Sequence, residues 1–202
     1  MRFSATLFIA AALALSANAA SIERRDLVIS APVALCISDL VSASEQLTVV
    51  KTAVDGFFSS AGYSGAMAIH NLEQVLETRI NKAKTDCCAV TGVITSDEAT
   101  GVLSTVGVLV PKVSDAIAAI NAKKSQFDAI FLATAIVKTD LKNLEAATKA
   151  LDTCLVNKTP LTPPEFKIQA DAYVATINAA FLSAKNLYKS DLRALLLLQT
   201  KI

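Results

Sequence analysis

The chain has no tryptophan, a single histidine, six glycines and five prolines in 202 residues. So little glycine and proline leaves little turn material, which argues against a many-stranded sheet protein. One histidine, His70, excludes the H-E-x-x-H zinc helix and any multi-histidine metal centre. His70 lies beside Ile69 and Leu72 in a helical stretch and is expected to be a surface or hydrogen-bonded side chain. The G-x-S-x-G nucleophile elbow, the P-loop and the dinucleotide-binding glycine motif are all missing. No CxxC pair offers a zinc site. The carboxylates mostly fall on lysine-bearing helix faces, with no acidic pair apparent inside an apolar stripe. Neither catalysis, nor a metal, nor a cofactor is expected. With 19 basic against 18 acidic residues and no basic block, there is no electrostatic footprint for nucleic acid.

The N-terminus predicts a secretory signal. Arg2, the apolar run Leu7 to Leu15 and the exit Ala17-Asn18-Ala19 predict a signal peptide over residues 1–19. The run is too short to span a membrane, which takes roughly 20 residues. Arg24-Arg25 is either a dibasic processing site, which would leave Asp26 as the mature start, or a solvated basic pair.

Apolar residues recurring every three or four positions predict an all-α, up-and-down bundle of about five amphipathic helices, forming one domain over residues 33–198. Helix one is expected from just after Pro32 to Ser59 or Ser60, with the stripe Leu40, Ser44, Leu47, Val50, Val54, Phe57. Helix two is expected from Ser64 to Asp86, with Ile69, Leu72, Leu76, Ile80 and Ala83 inward. Thr95-Ser96-Asp97-Glu98 forms a capping box, in which the Thr95 and Glu98 side chains each satisfy a free backbone N–H. Helix three carries Leu103, Val106, Val110, Val113, Ile117 and Ile120. Its stripe keeps phase through Pro111, which predicts one kinked helix rather than two. Lys123 to Pro160 is expected to be a single long helix, with Phe127, Ile130, Thr134, Val137, Leu141, Leu144, Thr148, Leu151 and Leu155 inward. Lys138, Lys142, Glu145, Lys149 and Asp152 are expected on its wet face. Thr162-Pro163-Pro164-Glu165 starts a last helix through Ala170, Val174, Ile177, Phe181, Ala184, Tyr188, Leu192 and Leu195.

Cys36, Cys87, Cys88 and Cys154 are an even set in a secreted chain, which predicts two structural disulfides. A bond between the neighbours Cys87 and Cys88 would be strained, so two pairings remain. If helix three is one rod, all four cysteines meet at one end of the bundle. Asn157-Lys158-Thr159 is a glycosylation sequon, expected in the loop before the last helix.

The segment Leu109-Val110-Pro111-Lys112-Val113 with Ile117 and Ile120, then Lys123-Lys124, Phe127-Asp128, Leu141, Leu144, Thr148, Leu151 and Pro160, resembles the hydrophobic surface-binding protein A family. That family includes the fungal cell-wall galactomannoproteins. The resemblance implies a secreted fungal helical protein, in solution or in the cell wall, that binds hydrophobic material. Members adsorb to hydrophobic surfaces and recruit polyester-degrading enzymes, or hold fatty acids inside a helical bundle. A secreted hydrolase is thus an implied partner, and no catalytic residues carry over.

The residues are compatible with both roles. A bundle rich in Ala and Val leaves room between helices, and apolar cavities take apolar ligands. Candidate lining residues are Phe57, Leu76, Val106, Val113, Phe127, Phe131, Leu144 and Phe181. An internal lipid site requires a channel wide enough for an acyl chain. Surface adsorption requires an exposed apolar patch, for which Phe58 and Phe131 are candidates. An extracellular inhibitor-type bundle is a third alternative, without the early cysteine hairpin of the plant invertase and pectin methylesterase inhibitors.

Overall fold

A computed structural model describes residues 28–189. The signal-peptide segment, the Arg24-Arg25 pair, and Leu192 and Leu195 lie outside those residues. The helices are α1 (Ala31–Asp55), α2 (Gly62–Ala89), α3 (Ser96–Ala122), the short α4 (Lys124–Asp128), α5 (Ala133–Lys158) and α6 (Glu165–Lys189). The five long ones are the expected bundle. Their principal contacts run α1 to α2, α2 to α5, α5 to α6, α6 to α3 and α3 back to α1. The bundle is therefore a closed ring of helices around one axis, and every long helix turns a stripe toward that axis.

The stripes explain the ring. Leu40, Leu47, Val50 and Val54 of α1 are buried, as are Leu76, Ile80 and Ala83 of α2 and Val106, Val110, Val113 and Ile117 of α3. The capping box at Thr95 forms as the sequence predicts, with the Thr95 side chain accepting from the Glu98 N–H and Glu98 accepting from the Thr95 N–H. Glu98 also accepts from the Ser30 hydroxyl at 2.5 Å and the Ser30 N–H at 3.1 Å, tying α3 to the start of α1. The Ser30 and Thr95 hydrogen bonds hold its carboxyl down at about 2. α3 runs unbroken through Pro111. A Cβ on Gly107 would lie 2.7 Å from the Tyr173 hydroxyl. That glycine therefore lets the Tyr173 side chain of α6 approach α3 closely.

Four expectations need correction. The stretch from Lys123 to Pro160 is two helices, because the chain leaves helical geometry over 129–132. Leu132 sits there in the left-handed region at φ 67°, and Asp128 accepts from the Thr134 hydroxyl at 2.6 Å, a side-chain bond that competes with continued helix. The break re-phases the first turn of α5, so Ala133 rather than Thr134 is buried, while Val137, Leu141, Leu144, Thr148 and Leu151 keep their places. It also turns Phe127 onto Phe57, the rings stacked at 4.6 Å. Second, α1 ends at Asp55, before Ser59, because Gly56 ends the helix and a 3-10 turn over Ser59–Ala61 follows. Third, α2 continues to Ala89, so Cys87 and Cys88 lie in its last turn and not in a loop. Fourth, Asn157 is exposed in the last turn of α5 rather than in a loop, and the Thr159 hydroxyl of its sequon donates to the Leu155 carbonyl.

The disulfides are Cys36–Cys87 and Cys88–Cys154, with Cα atoms 4.7 and 5.4 Å apart. All four cysteines meet at one end of the bundle, as a single-rod α3 requires. At that end Ile94 N–H donates to the Lys158 carbonyl and the Lys158 ammonium donates to the Val90 carbonyl.

Candidate functional site

The ring encloses an apolar cavity of about 50 Å³. All five long helices contribute to its wall: Leu40, Leu47 and Val50 from α1, Leu76 and Ile80 from α2, Val106, Val113 and Ala116 from α3, Leu141, Leu144 and Leu155 from α5, and Ile177 and Phe181 from α6. Among the described residues that line it, only Thr148 and Asp152 bear polar side chains. Along α5 the wall runs from Leu141 to Leu155, about 21 Å at the helical rise. Volume is the limiting dimension. An engineered apolar cavity of roughly 150 Å³ admits benzene, so this space is too small for an acyl chain as the helices stand. Among the described residues, the open channel expected of an internal site is absent from this packing.

Five of the sequence candidates, Leu76, Val106, Val113, Leu144 and Phe181, line this cavity. Phe127 lines a smaller adjoining space of about 30 Å³ that shares Val50, Ile120, Leu141 and Leu144 with the first. Phe57 is buried and reaches the site only through its stack on Phe127. Phe131 does not line the interior: it is 85% exposed at the turn between α4 and α5. At the same end of the bundle, opposite the disulfides, Phe58, Tyr63 and Leu132 are also exposed, with the Lys123 ammonium 4.3 Å from the Phe58 ring centroid.

Sequence reasoning missed three carboxyls. Glu73 and Asp140 are buried in the core, contrary to the expectation that no acidic pair enters a stripe. They line the smaller space, and His70 Nδ1 lies 2.9 Å from Asp140 Oδ1. Burial, with the Asp140 charge second, pushes Glu73 up to about 8, and burial also raises Asp140 against the pull of His70. The three groups are of metal-ligating type and lie within 4.8 Å of one another. The His70–Asp140 bond links α2 to α5, and Glu73 lies beside it with its Oε2 accepting from the Gln74 amide. The third carboxyl is Asp152. Among the described residues its Oδ2 is buried with no hydrogen-bond partner, and burial raises its pKa to about 6. Both Glu73, four after Ile69, and Asp140, four before Leu144, are in phase with apolar stripes, a signal the sequence does carry.

Outside the ring a groove of about 380 Å³ runs between α5 and α6. Lys138, Lys142, Lys185 and Lys189 line it with Glu145, over a floor of Leu141 and Tyr188. Lys185 crosses the groove to Glu145 at 2.9 Å, and Lys149 reaches the same carboxylate at 2.8 Å. The Lys149 and Lys185 bonds hold Glu145 below the usual carboxylate range. Leu141 belongs to both groove and central cavity, so one side chain separates them.

The sequence profile described as hydrophobic surface binding protein A matches residues 33–157. No curated protein sequence matches the chain. Among solved structures, Afmp4p in complex with palmitic acid superimposes with a TM-score of 0.71 at 28% identity, over 77% of this chain and 99% of that one. Ligand-binding domain 2 of the Penicillium marneffei MP1 protein, complexed with multiple arachidonic acids, gives a TM-score of 0.67 at 16% identity, over 78% of this chain and 94% of that one. The second likeness establishes the shared fold. With its profile match spanning most of the ring, from α1 to the end of α5, this chain belongs to the hydrophobic surface binding protein A family.

Proposed function

We propose that the protein is a secreted, non-catalytic binder that takes a long-chain fatty acid, or an apolar ligand of like shape, into the axis of its helical ring. The observation that carries this is the cavity at the centre, walled by all five long helices and almost wholly hydrocarbon. A solid core of this size would need no such space, and interiors normally pack without voids beyond the size of a water molecule. The palmitic acid complex of Afmp4p, 28% identical over nearly its full length, supports the same ligand class. Binding proceeds by separation of helices, since the closed volume is below ligand size. Burial of an acyl chain then returns roughly 0.8 kcal/mol per methylene, enough to offset loosened helix contacts.

The test is native mass spectrometry of the secreted protein mixed with palmitic acid. A stoichiometric adduct is expected. Absence of any adduct, with the protein depleted from solution by hydrophobic beads, overturns the internal site in favour of adsorption. A second role in adsorption has its own observation, the exposed set Phe58, Tyr63, Phe131 and Leu132 at the end away from the disulfides. Recruitment of a secreted hydrolase to a coated surface would be a further step of that role.

A further inference from the structure

We infer that the α5–α6 groove is the seat of the ligand's carboxylate, with Lys138, Lys142 and Lys189 as its cationic wall and Leu141 as the gate to the interior. The inference rests on the proposed fatty-acid binding and adds where the charged end stays. A carboxylate cannot follow its chain into a hydrocarbon cavity without losing its hydration, which is prohibitive for an unpaired ion. The cavity's own ionisable residue, Asp152, is itself an acid and repels a second carboxylate. The charged end must therefore remain at a seam of the ring where cations and water are at hand.

The α5–α6 seam meets each requirement. The two helices run antiparallel, so the Lys185–Glu145 pair sets the register and brings Lys189 opposite Leu141. Lys138 and Lys142 flank Leu141 on α5, three residues before and one after it. Among the described residues, none of Lys138, Lys142 and Lys189 makes an ion pair, so three lysines of this groove keep their charge for a ligand, while its one carboxylate, Glu145, is held by Lys149 and Lys185. One turn away along α5, Glu145 is already held by a lysine on each side of the seam, which shows that this surface stabilises a carboxylate. Below the three lysines lie Leu141 and Tyr188, and behind Leu141 lies the axial cavity. A fatty acid placed here keeps its carboxylate among the lysines and threads its chain past Leu141.

The experiment compares palmitate with hexadecanol, the same chain with an uncharged end. Each displaces an uncharged fluorescent probe from the full-length secreted protein at about pH 8, where the acid is ionised. The K138Q/K142Q/K189Q triple variant changes only the outer side of the groove, and circular dichroism with a melting curve confirms its fold. Palmitate is expected to weaken by about tenfold in the variant, the size of a few partly screened ionic contacts. Hexadecanol is expected to be unaffected. In the wild-type protein palmitate alone is expected to weaken between about 0.01 and 1 M salt, as the Debye length shortens from roughly 30 to 3 Å. Equal palmitate affinity in variant and wild type, or equal loss of both ligands, overturns the lysine seat while fatty-acid binding stands. Failure of the wild-type protein to bind either ligand overturns the internal site as well.

Discussion

Replacing Asp152 with asparagine keeps the side chain's shape and removes its ionisation. Burial raises this carboxyl from the ordinary 3.8 of an aspartate to about 6, so the folded protein holds a proton that the unfolded chain releases. With the folded pKa above the unfolded one, stability is undiminished below about pH 4, falls between about pH 4 and 6, and stays reduced above that. A gap of about two units corresponds to about 3 kcal/mol. Asp152 is only partly buried, and allowing for screening by the water it still meets leaves about 2 kcal/mol. D152N should therefore be more stable than the wild type by about 2 kcal/mol at pH 7.5 and gain nothing at pH 3.5. In melting temperature that is about 4–8 °C for a domain of this size. Thermal unfolding of both proteins at the two pH values is the assay. Every other carboxyl titrates alike in both, so the change in their difference isolates one group. If the difference between D152N and wild type is the same at both pH values, Asp152 is hydrated and unperturbed, and the argument fails.

Three further outcomes follow from the packing. Removing the Cys88–Cys154 bond as C88S/C154S opens a loop with a sequence separation of 66, and should lower unfolding free energy in urea by about 4 kcal/mol; a loss under about 1 kcal/mol would show the bond to be incidental. Ala116→Leu projects a branched side chain into the axial cavity and should abolish palmitate adducts while changing stability by no more than about 1–3 kcal/mol; undiminished adducts would place the ligand elsewhere. Phe131→Ser should leave unfolding free energy within about 0.5 kcal/mol of wild type but reduce depletion by hydrophobic beads, and unchanged depletion would remove Phe131 from any adsorbing surface.

Local periodicity made most of this fold legible. Leu76–Ile80–Ala83 or Val106–Val110–Val113–Ile117 specify a buried helical face whatever surrounds them, and the stripes alone identify five long helices. Local chemistry also sufficed at Thr95 and Glu98, where cap and partner are three residues apart. The break after Asp128 was hidden because Phe127, Ile130 and Thr134 keep a helical spacing while Leu132, with no glycine to announce it, takes the left-handed conformation. Phe131 flanks the stripe position Ile130, and the break leaves it outside the core. The disulfide pairing depended on which of two adjacent cysteines faces α1, a matter of helix rotation that spacing cannot decide. Glu73 and Asp140 are in phase with the core, but their charge argues for the surface, so spacing and residue type disagree at both positions. Their clustering with His70 exists only once α2 and α5 meet.

The adjacency of Cys87 and Cys88 has a mechanical corollary. Two consecutive cross-links share one point at the end of α2, so α1, α2 and α5 are pinned together there, while α3 and α6 reach that point only through loops and noncovalent bonds. A ring fastened at one rim opens as a wedge and does not dilate evenly. α5 is 26 residues long, a lever of about 39 Å, and a tilt of about 5° about the pinned rim carries its far end about 3 Å. The stacked Phe57 and Phe127 lie at that far end, so they separate first as the helices splay. For the axial binding proposed, a longer ligand chain would then translate into a wider angle between helices rather than into a uniform swelling of the core.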